Sequence, residues 1–284
     1  MKLRTILFAP LLILATSAFS QFADQKFWEE TKEGDKVELN VVYCENEPFV
    51  YSEKGELKGI EVDILNYFVK WVEEEKGIKI KLVYQEPQTF EKLLKHIELG
   101  KKNTIGLGSV TVTEKRKERF SFTAPYLRNV SVLITNGGLP TVRSEEDLEN
   151  LVNGYYAVTV KGSLHASHLN DLRNKYRANE NTIRYVKDQN AVIREVANSA
   201  RYYAYVDIIN FWKYMKNSDK YVKVHKNANI RNEFFGLIFP NSSGWLNPFN
   251  EFMESGFGFT ATKDYHEILE KHLGYEVIET VELD

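Results

Sequence analysis

At 284 residues, 43% of them hydrophobic and 13% aromatic, the chain has room for one large or two ordinary domains and enough apolar content for a sizeable core, which makes it a globular protein. Its 37 basic and 40 acidic residues nearly cancel, to a formal net charge of −3, and leave no basic surplus for a nucleic-acid surface. One cysteine, Cys44, excludes an internal disulfide; it sits in an apolar run with no base beside it and reads as a buried structural thiol.

Lys2 and Arg4 precede an apolar run from Ile6 to about Ala15, and Ser17, Ala18, Phe19 and Ser20 follow. A charged start, an apolar middle and a small-residue cleavage site make residues 1–20 a signal peptide, removed before Gln21. The run is too short to span a bilayer comfortably, and no cysteine at the cleavage site offers lipid attachment. The mature chain is expected to be exported to the periplasm.

Residues 21–36 read as a loose leader or short helix. Val37, Leu39, Val41 and Tyr43 alternate with Glu38, Asn40 and Val42, which predicts a strand over 37–43. A hairpin is expected with its turn at Lys54-Gly55. Val62, Leu65, Phe68, Val69 and Val72 repeat at helical spacing, and Gly77 stops that helix. A strand over 79–84, a helix over 90–99 closed by Gly100, and a strand over 104–110 come next. Val130 to Thr135 is strongly β-branched.

Asn136-Gly137-Gly138 then breaks the pattern, as Asn227-Ala228-Asn229 does later. Between the breaks, helices are expected at 144–151, 164–176, 191–199 and 208–215. Strands are expected at 155–160, 182–186, 202–206 and 221–225. A strand over 234–239 and helices near 245–256 and 263–273 finish the chain. This alternation argues for an α/β protein with mainly parallel sheets. The breaks divide it into a first lobe, 37–135 plus 230–284, and an inserted second lobe, 139–226. A ligand belongs in the cleft between them.

The chain is organised around Gly108-Ser109-Val110-Thr111-Val112-Thr113-Glu114-Lys115-Arg116. A strand ends in hydroxyl residues, and Thr113 is placed to cap a short helix that carries Glu114 in its first turn. Arg116 on that turn can reach back over Ser109 and Thr111. A guanidinium beside hydroxyls and free N–H groups suits a carboxylate.

That stretch stands between Pro48-Phe49, Gly59-Ile60-Glu61-Val62-Asp63 and Phe90…Leu93-Leu94 on one side, and Phe120-Ser121-Phe122…Pro125-Tyr126, Lys161-Gly162-Ser163, Tyr205-Val206-Asp207 and Phe235-Gly236-Leu237 on the other. In this order the chain resembles the bacterial extracellular solute-binding proteins of family 3, the periplasmic amino-acid-binding proteins of ABC importers, over nearly all its mature length. The resemblance implies a type II periplasmic-binding-protein fold, two α/β lobes joined by two hinge crossings. It implies an amino acid or related carboxylate as ligand, an ABC permease as partner and a monomer. No metal, cofactor or catalytic residue is implied.

By the same resemblance Arg116 clamps the ligand α-carboxylate, with Ser109 and Thr111 beside it. Ser163 and Leu164 add donors from a second-lobe helix start; Leu164 stands where a threonine is frequent, so only its N–H could serve. Asp207 pairs the α-ammonium. Each position has a plainer reading. Asp207 and Ser163 would both serve as ordinary helix caps. Phe90 is either a cleft wall or simply the first buried position of its helix. Asn46 departs from the family, where an aromatic often stacks on the ligand side chain. Glu45 and Glu47 flank it and could meet a cationic ligand or be merely solvated. His165 and His168 have a spacing that can bind zinc but no nearby third ligand. No nucleophile, metalloprotease or phosphate-loop motif is present. Rival functions are a prephenate- or arogenate-type dehydratase and a ligand sensor on the same fold.

Overall fold

The computed structural model describes residues 27–178 and 183–282. The expected signal peptide lies outside the described residues. Among the described residues no helix is long and apolar enough to cross a membrane.

Strand β1 (Lys36–Tyr43) buries Val37, Leu39 and Val41 on one face, because side chains alternate along a strand. A hairpin of β2 (Tyr51–Glu53) and β3 (Glu56–Lys58) turns at Lys54 and Gly55, both with positive φ. Helix α1 (Ile60–Lys76) turns Ile60, Ile64, Leu65, Phe68 and Val72 into the same core cluster as β1. Each such buried side chain contributes about 1.5–3 kcal/mol. Gly59 opens α1 with φ 133°, and a Cβ there would lie 2.1 Å from the Phe49 carbonyl oxygen, so the close approach demands glycine.

Strand β4 (Lys79–Gln85), helix α2 (Phe90–Glu98) and strand β5 (Thr104–Leu107) follow, with β4 and β5 pairing parallel to either side of β1. Helix α3 (Glu114–Lys117) and strand β6 (Phe120–Phe122) come next. The five-stranded sheet runs β4-β1-β5-β13-β6, with β13 (Ile238–Pro240) antiparallel to both neighbours. Helices α8 (Leu246–Glu254), α9 (Lys263–Leu273) and α10 (Tyr275–Glu282) place Phe249, Phe252, Ile268, Leu269 and Val277 in its core. The sequence reading missed α10, which starts directly after Gly274.

The second sheet is built on β7 (Leu127–Asn136), with β8 (Tyr156–Val160), β9 (Ile183–Val186), β10 (Tyr202–Asp207), β11 (Val222–Val224) and β12 (Ile230–Phe235). Its order is β11-β7-β10-β8-β9, and β12 also pairs with β7. Val132 and Ile134 of β7 enter one core cluster and Leu133 another, so both faces are covered. Helices α4 (Glu145–Gly154), α5 (Leu164–Lys175), α6 (Gln189–Asn198) and α7 (Ile208–Lys216) supply that cover. β8, β9 and β10 are parallel; β7 runs against β10, β11 and β12.

Two boundaries differ from the expected ones. β7 lies in the second sheet, so the chain leaves the first sheet at Tyr126-Leu127, not at Asn136-Gly137-Gly138. The strand expected over 234–239 is two strands in two sheets, β12 and β13, and the chain returns through Gly236-Leu237 rather than at 227–229. A β-branched run shows only that a segment is extended and buried, not which sheet receives it. The two crossings are hydrogen-bonded neighbours: Leu127 faces Phe235 and Arg128 faces Phe234.

Candidate functional site

The carboxyl ends of β1, β5, β8 and β10 converge on one cavity, where ligands collect in open α/β folds. Asn46 follows β1, Ser109 and Thr111 follow β5, Ser163 follows β8, and Asp207 ends β10. Helix starts complete the wall: Phe90 of α2, Leu164 and His165 of α5, and Gln189 of α6. Arg116 reaches in from α3. The space between these walls is about 460 Å³, counted together with the solvent at its mouth. All eight residues singled out from the sequence line it.

Arg116 is 9% exposed. Thr113 caps α3, accepting from the Arg116 N–H at 3.2 Å, which sets the direction of the side chain. Nη1 donates to the Thr111 carbonyl at 2.9 Å, and Nη2 to the Gly162 carbonyl of the second lobe at 3.3 Å. The guanidinium lies 5.7 Å from the Phe90 ring centroid, a cation–π distance. Burial pulls its pKa down to about 10, with Asp207 and Glu233 pulling the other way, so it stays cationic at neutral pH. Among the described residues no carboxylate lies within ion-pair distance of it, and a buried cation without a counter-charge is costly.

Ser109 has φ 49°, in the left-handed region, a conformation that costs an ordinary residue on the order of 1 kcal/mol. Glu61 holds it there. This fully buried carboxyl accepts from the Gly108 and Ser109 N–H groups, at 2.6 and 3.0 Å, and from the Tyr126 hydroxyl at 2.7 Å. Burial pushes the Glu61 pKa up to about 7 against those bonds. The strand-end N–H groups of Gly108 and Ser109 are thus spent on Glu61. The helix start at Leu164 supplies N–H groups that have no partner within the helix.

Asp207 precedes α7 but makes no side-chain capping bond there. At 4% exposed, it instead accepts from Asn129 Nδ2 at 2.7 Å and faces His165 Nε2 at 3.3 Å. The Ser163 hydroxyl does cap α5, accepting from the Ala166 N–H at 3.1 Å and donating to the Val160 carbonyl at 2.7 Å, so its bonding is local. Phe90 packs against core clusters of both lobes and also lines the cavity. Asn46 bridges the lobes: Nδ2 donates to Ser109 Oγ at 2.7 Å, and Oδ1 accepts from Asn210 of α7 at 2.9 Å. Glu45 accepts from the Ser52 N–H, and Glu47 pairs with Lys213 at 3.0 Å.

His165 and His168 share α5 but turn to different carboxylates, His165 to Asp207 and His168 to Glu233 at 2.7 Å. Among the described residues no group of three or more His, Cys, Asp or Glu side chains is placed to hold a metal ion. A bulge in β12 between Ile230 and Glu233, with Asn232 at φ 64°, turns Glu233 inward. There it accepts from Ser131 Oγ at 2.7 Å and Asn129 Nδ2 at 3.0 Å. Burial raises its pKa, but the His168 and Ser131 bonds outweigh that and hold it below the usual range. Sequence reading missed Gln189, Asn210 and this supporting network. A bulge and a helix-interior asparagine leave no pattern; Asp188 as the cap of α6 was the available signal for Gln189.

Two α/β lobes, two crossings and a cleft with an arginine from one lobe and an aspartate from the other define a type II periplasmic binding protein. The chain belongs to the bacterial extracellular solute-binding proteins, family 3, whose pattern matches residues 39–275. A curated relative, the probable amino-acid-binding protein YxeM of Bacillus subtilis, is 27% identical over 167 residues, 59% of this chain and 58% of that protein. The fold is also that of an ancestral arginine-binding protein bound to arginine, at 20% identity and TM-score 0.68, covering 84% of this chain and 98% of that one. It is likewise that of the arginine-, lysine-, histidine-binding protein ArtJ from Geobacillus stearothermophilus, at 22% identity and TM-score 0.66, covering 84% and 95%.

Proposed function

We propose that the chain is an exported solute-binding protein that captures an α-amino acid in this cleft and delivers it to an ABC permease. The observation that carries the reading is Arg116: a buried cation without a carboxylate partner among the described residues, facing a cavity that has Asp207 on its other lobe. The ligand α-carboxylate would supply the missing counter-charge, with the α5 helix start beside it. Its ammonium would bind Asp207.

The first lobe is taken as residues 27–126 with 236–282, the second as 127–235. Bonds between them mark a closed form: Arg116 to Gly162, Asn210 to Asn46 and to the Glu47 carbonyl, and Lys161 to Glu91 at 3.1 Å. A ligand that touches both lobes only when they are closed shifts the population toward closure by its differential affinity. The curated relative and the structural neighbours agree in class, since their names specify amino acids.

A thermal-shift screen of the chain from Gln21, against amino acids, polyamines and small carboxylates, tests this, because a ligand of the native state raises its melting temperature. An α-amino acid is expected to do so. If simple carboxylates or polyamines stabilise the protein and no α-amino acid does, the reading is wrong.

A further inference from the structure

Helix α7 follows Asp207 in the second lobe, yet it works for both lobes. Phe211, Tyr214 and Met215 turn into the second lobe's core cluster. Ile209, fully buried, belongs instead to the core cluster of the first lobe, together with Val277 and Ile278 of α10. Helix α10 packs on α9 of its own lobe and on α7 of the other. Positions 209, 213 and 216 recur at helical spacing, so a single stripe of α7 meets the first lobe. Lys213 pairs with Glu47 at 3.0 Å, donates to the His272 carbonyl at 3.4 Å and lies 5.8 Å from the Tyr51 ring centroid. Lys216 Nζ comes within 3.3 Å of the point where a Cβ would stand on Gly274.

The polar part of this seam is the weaker one. The Lys213 and Glu47 side chains are 26% and 40% exposed, and an ion pair so open to solvent contributes little. The weight falls on Ile209, Val277 and Ile278, all buried. Swinging the second lobe away would carry Ile209 out of the first lobe's core and return apolar surface to water. None of Ile209, Lys213, Lys216, Val277 and Ile278 lines the cavity, so the hold needs no ligand. The family pattern ends at residue 275, where α10 starts, so this contact is not part of what defines the family.

We propose that α10 is a clasp: by gripping the Ile209 stripe of α7 it keeps the two lobes closed in the absence of ligand. A clasp of this kind reduces the free energy that a ligand must supply for closure. The proposal takes the two-lobed hinge from the reading above and does not depend on which solute the cleft holds.

X-ray scattering of the exhaustively dialysed chain from Gln21 tests it with no ligand present. The parent profile should match the closed structure described above. Removing residues 275–284, ten in all, would by itself shrink the radius of gyration by about 0.3 Å. With the clasp gone the radius should rise instead. Should that variant lose its cooperative melting, Ile209→Glu makes the same test from the other lobe: it sets a charge against the first lobe's core only in the closed form and leaves Phe211, Tyr214 and Met215 in place. It should expand the protein, and Ile209→Val should not. A folded variant of either kind that stays compact makes α10 a support of the first lobe alone and overturns the proposal. So does a parent that is already open in solution. Neither result touches the amino-acid reading, which stands or falls on the ligand screen.

Discussion

Replacing Arg116 by methionine separates recognition from stability. A bidentate contact to a carboxylate makes two charge-assisted hydrogen bonds, each worth about 1.5–3 kcal/mol. Their loss, roughly 3–6 kcal/mol, corresponds to about 10²–10⁴-fold in affinity. The ligand-free protein loses different things: the bonds to the Thr111 and Gly162 carbonyls and the contact with Phe90. Against that it is relieved of a buried cation that lacks a counter-charge, whose desolvation costs several kcal/mol. The two should nearly cancel, leaving ligand-free stability within about 2 kcal/mol of the parent and melting within roughly 5 °C. Titration calorimetry with the best ligand, paired with ligand-free scanning calorimetry, reads both. Affinity within tenfold of the parent would place the carboxylate somewhere other than Arg116. A ligand-free loss above about 4 kcal/mol would make Arg116 a structural strut between lobes rather than a receptor.

Three further outcomes are expected. Asn210→Ala removes donors from Asn46 Oδ1 and the Glu47 carbonyl, both partly buried bonds between lobes; closure should weaken by about 1–3 kcal/mol, seen as a larger ligand-free radius in X-ray scattering and lower affinity, and unchanged values in both would refute it. Glu61 has a folded pKa of about 7 against an ordinary 4.5, so its contribution to stability is complete below pH 4.5 and lost as pH rises through 7. The urea-unfolding free energy of the parent relative to Glu61→Gln should therefore fall by roughly 3 kcal/mol over that window; a flat difference contradicts it. Glu233→Ala leaves Ser131, Asn129 and His168 without their shared acceptor and should destabilise the protein by about 3–5 kcal/mol in the same assay, whereas a loss below about 1 would mean the network is solvated.

The strands and helices around the cleft were legible because their signals are local. Thr113 capping α3, Ser144 capping α4 and Gly77 ending α1 stand where the chain's punctuation puts them. Arg116, Ser109 and Thr111 were legible as a strand end running into a helix start, whereas Ser163, Leu164, Asp207, Phe90 and Asn46 were reached through the family resemblance. The hinge positions were not: β7 and β12 look the same from sequence whichever sheet they join. Position alone also favoured Asp207 as a helix cap, and only the placement of Asn129 and His165 turns its carboxylate away from α7. Asn46 was expected near the ligand side chain, yet its amide is divided between Ser109 and Asn210. That partnership spans 164 residues of chain and no local pattern carries it.

The pairing of Leu127 with Phe235 and of Arg128 with Phe234 has a mechanical consequence. Two separate tethers would let the lobes twist, slide and hinge independently. Two tethers zipped into one antiparallel ribbon act as a leaf spring: the ribbon flexes across its face but resists shear along its length, because sliding would break the ladder between strands. Thr111 forms a bridge with Phe235 on that ribbon, and its carbonyl holds Arg116. Under the proposed hinge closure, the axis of motion and the guanidinium would share one rigid mount, and Arg116 would stay aligned with the pivot as the lobes close.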